Sequence, residues 1–352
     1  MLLLLLFLPV STAALFGKVC HILPVMWAVN KVGRVHGSGA STLKGPSPYF
    51  QSRLQFSASH PIAASALSVA MKPVTGIPEE GSLYYLIRQH NGRLFVKPLH
   101  WTDLHSQLLA VQFNDKISDS GLVEQEKISK YWEALVSNLN DLLDCEFAIS
   151  NKPRLMASVM SSLFSLDPIV IDLSLHFGTY KEQVQAQCIF RQDGLQNTLV
   201  AYTNMREITK TRKLFPTGLI PNNPDHDPYI VSVLIASAQA HFYQEKTRLV
   251  FRDVKVSVIT HSEHSRVNGS DAFFTVYTAT VKAAFLELFA YPAKCPNSRD
   301  RGLQITYSKV KVWPALGLKE RLGNAIWGNS SYPGRKRPFT EGCGGRDKKK
   351  RL

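Results

Sequence analysis

The chain has 352 residues, a hydrophobic content of 45% and a formal net charge of +14. This length allows one large domain or two ordinary ones, and the composition excludes a wholly disordered chain. The positive charge belongs to the two ends, because residues 1–70 contain five basic residues and no acid, and residues 299–352 contain fourteen basic residues and four acids. The middle is nearly neutral, which argues against a folded domain that binds a specific nucleic-acid sequence through a basic face.

Residues 1–17 form an apolar segment followed by small residues, a pattern typical of a secretory signal peptide. No basic residue precedes the apolar core and Pro9 shortens it, so three alternatives stay open: an uncleaved anchor, an organelle presequence, or a folded protein that starts near Met71. Residues 18–80 are predicted to form a flexible arm, because Gly, Ser, Pro and Ala recur there without periodicity. We therefore expect a secreted protein, with membrane attachment only if the leader is not cleaved.

Secretion would also give meaning to two glycosylation triplets, which begin at Asn268 and Asn329. The five cysteines are scattered and include no Cys-x-x-Cys pair, so they indicate free thiols rather than a disulfide framework or a zinc knuckle. The tail, residues 316–352, is predicted to be basic and disordered. Its final basic run at residues 348–351 resembles a nuclear address, which makes a nuclear or cytoplasmic location the alternative to secretion.

The body is predicted to begin at residue 81 with a β-hairpin. Residues 83–90 and 93–97 flank Asn91-Gly92, and this pair accepts the positive φ angles that a type I′ turn requires at both central positions. Apolar residues at helical spacing then predict two helices, one over residues 122–145 and one after Pro153.

Three strands with intervening turns predict an antiparallel meander in the rest of this first part, which extends to residue 220. They cover residues 169–177, 184–191 and 198–203. The basic run at residues 210–213 is predicted to be a solvated helix face.

The second part of the body, residues 221–315, is predicted to open with a helix over residues 227–243. Asp227 suits the N-cap and Pro228 suits the first turn. The following elements are a strand at 249–260, a strand at 273–281, a helix at 283–289 and a strand at 303–313. This order predicts an α+β fold, with helices packed on a mixed or antiparallel sheet and disordered basic ends.

One pattern suggests metal-dependent hydrolysis. Asp253 and Lys255 lie on one face of a predicted strand, and Asp225 and Asp227 precede them. In many nucleases two acids hold a divalent cation while a lysine polarises the attacking water. An N-cap and the wet face of a strand account for the same residues without any catalysis.

A second pattern suggests a metal site. His261, Glu263 and His264 place three metal-capable side chains together, and His-x-Glu is part of the zinc deaminase signature. The later segment supplies one cysteine, Cys295, where that signature needs two, so a polar surface loop is the favoured interpretation. Glycine-rich dinucleotide, P-loop and hydrolase-elbow motifs do not occur, and no cofactor is predicted.

The run that starts at Asp227-Pro228-Tyr229-Ile230-Val231 and continues to Pro292 is similar to a recurring pattern in uncharacterised proteins of filamentous fungi. The resemblance implies no activity and no site residues, although an accessory role in a natural-product pathway is compatible with it. Since no group of residues meets the geometric needs of catalysis, the sequence favours a non-catalytic binding or accessory protein with an unidentified protein or small-molecule partner. The alternative is a metal-dependent hydrolase or nuclease-like enzyme.

Overall fold

The computed structural model describes residues 77–92, 94–116, 132–191, 198–215, 219–243, 250–262, 271–295 and 302–328. All of them belong to one compact unit. The predictions for the leader, most of the arm, the end of the tail and the triplets at Asn268 and Asn329 lie outside the described residues and stay predictions. The prediction of a disordered tail from residue 316 is wrong for residues 318–327, which form a helix whose apolar side packs in a core.

The helices of the described chain are α1 (Leu83–Gln89), α2 (Asp103–Leu108), α3 (Trp132–Leu143), α4 (Lys152–Phe164), α5 (Met205–Arg212), α6 (Pro228–Tyr243), α7 (Ala283–Ala290) and α8 (Leu318–Trp327). The strands are β1 (Gln112–Asp115), β2 (Pro168–Ile169), β3 (Ser174–Phe177), β4 (Tyr180–Gln183), β5 (Cys188–Arg191), β6 (Leu199–Tyr202), β7 (Val254–His261), β8 (Phe273–Val281) and β9 (Gln304–Lys311).

Seven strands form one mixed sheet in the order β1-β9-β8-β7-β6-β5-β2, and β3 and β4 form a separate two-stranded sheet. The pairs β1–β9 and β6–β7 are parallel, while the other pairs are antiparallel. Helices cover both faces: α6 shares one apolar core with the sheet, and α3, α4 and α8 share another on the opposite face. The predicted α+β class, with helices packed on a mixed sheet, is confirmed.

The central helix α6 is buried on almost every side. Fourteen of its sixteen residues are buried, all except His241 and Tyr243. A helix that is apolar all round belongs inside a protein, because it has no polar face to present to water. Helix α6 lies between the large sheet and the β3–β4 hairpin. The helix itself was predicted from the spacing of apolar residues between 227 and 243, but its position was not.

A buried glutamine in α6 joins this helix to β3. Gln239 Oε1 accepts a hydrogen bond from the His176 N–H at 2.8 Å, and Gln239 Nε2 donates to the His176 carbonyl at 2.9 Å. One side-chain amide thus satisfies both backbone groups of His176, as a neighbouring strand would do.

The predicted N-terminal hairpin is wrong, because residues 83–89 form α1. Asn91 and Gly92 do adopt the positive φ values of 52° and 74° that the turn prediction required. Here, however, they end a helix: the Gly92 N–H donates to the Ile87 carbonyl and the Asn91 N–H donates to the Arg88 carbonyl. This is a Schellman-type C-terminus, which uses the same left-handed backbone as a type I′ turn.

The predicted meander is also wrong in part. The segment at 169–177 contributes to two sheets, since β2 pairs with β5 whereas β3 pairs with β4. The turn at Gly178-Thr179 closes the β3–β4 hairpin, and this hairpin packs on α6 instead of extending the large sheet. Strands β5 and β6 do form the expected antiparallel pair.

Replacing Gln239 with Leu should lower the free energy of unfolding by about 2–4 kcal/mol, because it leaves the N–H and the carbonyl of His176 without partners. Urea denaturation followed by circular dichroism measures this change. The matched control is Ser237→Ala in the same helix: the Ser237 hydroxyl is buried without a partner among the described residues, so its removal should cost little or stabilise. Equal decreases in the free energy of unfolding of the two variants would contradict the role given to Gln239.

Candidate functional site

Five strands of the large sheet, β1, β2, β6, β7 and β9, point in the same direction. Because β6 is parallel to β7, β8 is antiparallel to β7 and to β9, and β1 is parallel to β9, the C-terminal ends of β1, β6, β7 and β9 meet at one edge of the sheet. Helix α6 connects β6 to β7 and begins at that edge. We call this region the carboxyl edge; open sheets with helical crossovers commonly bind ligands in the crevice there.

Polar and aromatic side chains from three separate segments come together at the carboxyl edge. Lys309 Nζ, on β9, lies 2.7 Å from Asp225 Oδ2, in the turn that precedes α6. The imidazole of His226 stacks on the ring of Phe113, on β1, with centroids 4.6 Å apart and planes at 8°. Tyr307 meets the same imidazole edge-on at 5.7 Å. We call Phe113, Asp225, His226, Tyr307 and Lys309 the edge site.

His226 is held in place without using its ring nitrogens. Its backbone N–H donates to the Asn223 carbonyl at 3.0 Å, and its ring is fixed by Phe113 and Tyr307. Within the part of the chain that the structure describes, neither ring nitrogen makes a hydrogen bond, and the side chain is only half-buried. A pre-oriented imidazole is therefore accessible to a ligand.

The buried neighbour of the edge site is Tyr277, whose ring stacks on Tyr307 at 5.9 Å. Burial raises the pKa of Tyr277, and the carboxylates of Asp225 and Asp227 add to that rise. The phenol therefore keeps its proton at neutral pH. A group of this kind donates hydrogen bonds but does not act as a base.

Asp227 lies beneath the edge site and is fully engaged in the fold. Its Oδ1 accepts from the Tyr229 N–H at 2.8 Å, which caps α6, and its Oδ2 lies 2.7 Å from Arg212 Nη1. Arg212 Nε also donates to the Leu99 carbonyl. Burial raises the pKa of Asp227, whereas the Arg212 guanidinium opposes that rise. Asp227 therefore serves the structure, as the N-cap prediction had indicated.

The basic run at residues 210–213 is not a uniformly solvated face. Lys210 and Lys213 are exposed, but Arg212 is 2% exposed and pairs with Asp227. The prediction is wrong for Arg212, because a charge pattern along a short helix does not reveal an acid that follows fifteen residues later.

Asp253 and Lys255 lie towards the opposite edge of the sheet. Lys309 pairs with Thr275, and Thr275 pairs with Thr260, which is five residues beyond Lys255 on β7. At about 3.3 Å per residue, Lys255 is roughly 16 Å along the strand from the level of the Asp225–Lys309 pair. The structure therefore does not bring Asp253 or Lys255 together with Asp225 or Asp227.

Each of these two residues has a local partner instead. Asp253 Oδ1 accepts from the Ala283 N–H at the start of α7, and Oδ2 lies 2.9 Å from Lys282 Nζ. Lys255 Nζ donates to the Trp327 carbonyl at the end of α8 at 2.9 Å. Asp253 thus places a negative charge at the N-terminus of α7, and Lys255 places a positive charge at the C-terminus of α8, so each satisfies a backbone group that the helix leaves unpaired. The hydrolase hypothesis stays a prediction.

His261 ends β7 inside the core on the other face of the sheet. Its Nδ1 lies 3.1 Å from the Tyr202 hydroxyl, and burial, assisted by the charge of Lys152, lowers its pKa to about 3. Glu263 and His264 lie outside the described residues. Among the residues that are described, no group of three or more His, Cys, Asp or Glu side chains is placed to hold a metal ion.

Lys152 is fully buried near this imidazole and caps α3, since its ammonium donates to the carbonyls of Leu142 at 2.8 Å and Asp144 at 2.9 Å. Cys188 is also part of this region: its thiol donates to the Pro153 carbonyl, and burial raises its pKa to about 12. Cys145 and Cys188 are free thiols.

Sequence reasoning selected Asp225 and Asp227 but missed Phe113, Tyr307 and Lys309. The only signal in the sequence was that Tyr307 and Lys309 alternate on one face of a predicted strand. Their proximity to His226 depends on the pairing of β1 with β9, which joins residues almost two hundred positions apart.

Comparison of the chain with protein-family models, with curated proteins and with solved structures finds no match. None of the helices in the described ranges has the length and apolar character needed to cross a bilayer.

Replacing Asp227 with Asn should destabilise the protein by about 3–5 kcal/mol, because Asn preserves the helix cap but leaves the buried guanidinium of Arg212 without its counter-charge. Asp225→Asn is a matched control. The Asp225–Lys309 ion pair has the same separation of 2.7 Å as the Asp227–Arg212 pair, but the side chains of Lys309 and Asp225 are 43% and 27% exposed. We expect a loss below about 1 kcal/mol for the control. Urea denaturation at neutral pH measures the free energy of unfolding of both variants. Similar decreases in the two variants would contradict the distinction between a buried and an exposed ion pair.

Stability should fall as the pH decreases below about 6.5. Burial lowers the pKa of His261 to about 3 and of His105 to about 4, so the folded state resists protonation that the unfolded chain accepts at its ordinary pKa of 6.5. Each histidine makes its full contribution to stability above pH 6.5, and this contribution is lost as the pH falls from 6.5 towards the pKa of the folded state. At pH 4 the loss in the free energy of unfolding is about 3 kcal/mol for each histidine. His261→Gln should show a shallower dependence in denaturation experiments from pH 7 to pH 4. An unchanged slope would be inconsistent with a buried neutral His261.

Proposed function

We propose that this protein is a non-catalytic binding protein and that the edge site holds its ligand. The observation that carries the proposal is the imidazole of His226. It is fixed by Phe113 and Tyr307, is accessible to solvent, and makes no ring-nitrogen hydrogen bond to any described residue. Preorganised polar groups beside aromatic surfaces are typical of small-molecule sites.

Binding accounts for the edge site better than catalysis. Asp225 is paired with Lys309, and Asp227 is paired with Arg212, so neither carboxylate has the freedom expected of a general base or a metal ligand. Tyr277 keeps its proton at neutral pH because burial raises the pKa of its phenol, so it is not a general base.

The charges of the edge site favour a particular class of ligand. The carboxylates of Asp115 and Asp225 and the ammonium group of Lys309 all lie near Tyr307, while the Arg212–Asp227 pair is neutral as a unit. The rings of Phe113, Tyr307 and His226 provide flat apolar surface. We infer a small aromatic ligand that is uncharged or cationic and donates a hydrogen bond to His226.

The biological setting of this binding role is a proposal on separate grounds. The similarity of residues 227–292 to a pattern in filamentous fungi supports an accessory role in a natural-product pathway. Secretion is supported by the apolar leader at residues 1–17.

Three one-ring probes test the ligand class: phenol, benzylamine and benzoate, each titrated into protein with labelled histidine side chains. We expect phenol and benzylamine to shift the His226 ring resonances in nuclear magnetic resonance spectra, with dissociation constants on the order of 1 mM. Benzoate should bind several-fold more weakly, because the carboxylates of Asp115 and Asp225 outnumber the ammonium group of Lys309 and repel it.

His226→Ala and Phe113→Ala should abolish the response, since the first removes the polar group and the second removes the surface that fixes it. The control is Tyr291→Ala, which removes an aromatic ring that is 52% exposed and lies near Tyr243, at the other end of α6. Shifts that survive in His226→Ala, or no shift with any of the three probes, would refute the proposal.

A further inference from the structure

One edge of the large sheet leaves backbone groups pointing outward. Strand β1 is the last strand on that edge, and β9 is its neighbour in the described sheet. The Gln112 N–H donates to the Leu303 carbonyl and the Lys116 N–H donates to the Tyr307 carbonyl, so the even-numbered residues of β1 face β9. Successive residues of a strand direct their N–H and C=O groups to opposite sides. The groups of the odd-numbered residues therefore point out of the sheet.

The two outward-facing residues are Phe113 and Asp115, and we call their backbone N–H and C=O groups the β1 edge. These groups make no hydrogen bond to any described residue. Asp115 is exposed, as are Gln112, Asn114 and Lys116 around it. An extended chain beside β1 would supply a donor and an acceptor at every second residue, which is the spacing that the β1 edge requires. The backbone chemistry thus identifies the occupant as an extended peptide.

The opposite edge of the same sheet is protected against such pairing. It consists of β2, which spans only Pro168 and Ile169. A very short strand and a proline, which has no N–H to donate, are common means of blocking an edge. Strand β1 contains no proline, and no described side chain takes up the groups of the β1 edge. Pairing is therefore favoured at β1.

The β1 edge is continuous with the edge site, because Phe113 belongs to both. Phe113 and Asp115 lie on the same face of β1, and Asp115 is in register with Tyr307 of β9. A residue opposite Phe113 on an added strand would lie about 5 Å from it on that face. Its side chain would then stand beside the ring on which the His226 imidazole stacks. This position suits the aromatic group that the edge site takes.

The charges beside the β1 edge favour a basic peptide over an acidic one. Asp225 is paired with Lys309, whereas Asp115 is exposed and makes no ion pair to any described residue. A lysine or arginine of the peptide would complement the Asp115 carboxylate. On the other face of β1, the exposed amides of Gln112 and Asn114 suit small polar side chains such as threonine.

We propose that β1 pairs with an extended peptide of a partner protein and that an aromatic side chain of this peptide occupies the edge site. The proposal rests on the binding role of the edge site and identifies its ligand as part of a basic peptide with alternating aromatic and polar residues. Backbone hydrogen bonds provide affinity in such pairing, and the side chains provide specificity. Pairing of two copies of this chain about Asn114 is disfavoured, because both Asp115 carboxylates would lie on one face of the joined sheet.

A capped peptide of about eight residues, in which tyrosine and threonine alternate between terminal lysines, tests the proposal. Fluorescence anisotropy of a labelled copy should give a dissociation constant on the order of 0.1 mM. The same peptide with a methyl group on every backbone nitrogen keeps its side chains but cannot donate hydrogen bonds, so it should not bind. Replacing its lysines with glutamates should weaken binding several-fold, because Asp115 repels them.

Asp115→Pro is the corresponding change in the protein. It removes one outward N–H and no hydrogen bond to β9, so circular dichroism should show an intact fold. Peptide binding should weaken at least about tenfold. The matched control is Asp115→Asn, which removes the charge but keeps the N–H, and it should weaken binding by only about two- to threefold. Equal effects of the two variants, or binding that survives methylation of the peptide nitrogens, would overturn the proposal.

Titration of phenol and benzylamine separates failure of strand pairing from failure of the edge site. Shifts of the His226 resonances with these probes, without peptide binding, would refute strand pairing alone. Absence of a response to all the probes would refute both proposals. Peptide binding that Asp115→Pro weakens but His226→Ala leaves unchanged would overturn entry of the aromatic side chain into the edge site. Dimerisation in analytical ultracentrifugation that Asp115→Pro abolishes would assign the β1 edge to a second copy of the chain instead.

Discussion

The carboxylate of Asp227 joins separate parts of the fold through its two oxygens. One oxygen caps the first turn of α6, and the other pairs with Arg212 at the end of α5, whose guanidinium also reaches the Leu99 carbonyl. Taking these charges out of water is costly, so the pair is tolerated only because its geometry is close and both groups make further hydrogen bonds. The start of α6 is fixed as a result.

A fixed start for α6 sets the positions of the surrounding elements. The helix is buried on nearly every side, and Gln239 near its other end supplies the missing strand partner of His176. The short turn immediately before Asp227 carries Asp225 and His226, so the same constraint places those two residues against β1 and β9. The edge site is thus a consequence of how the core helix is anchored, although none of its five residues belongs to that helix.

The two faces of the large sheet differ in what lies on them. The edge site combines a turn with the ends of two strands, and its residues are held by stacking and by an ion pair. On the other face of the sheet, α8 ends near Lys255 and leaves polar side chains of β1 and β9 exposed. A sheet whose outer strands are polar on one face needs no cover there, since these side chains are solvated at no cost.

Local chemistry in the sequence was sufficient to predict α6 with its cap, β8 and α7, because periodicity and capping act over a few residues. It also predicted positive φ at Asn91 and Gly92. That backbone conformation serves a helix end as well as a hairpin, and in the tertiary structure it ends a helix whose Leu83 is buried in the core. The burial of Arg212 and the separation of Lys255 from Asp225 were decided only by the tertiary structure. The contact between Phe113 and His226 was also decided only by the tertiary structure. Strand order and register join distant segments, and no local pattern encodes which strands become neighbours.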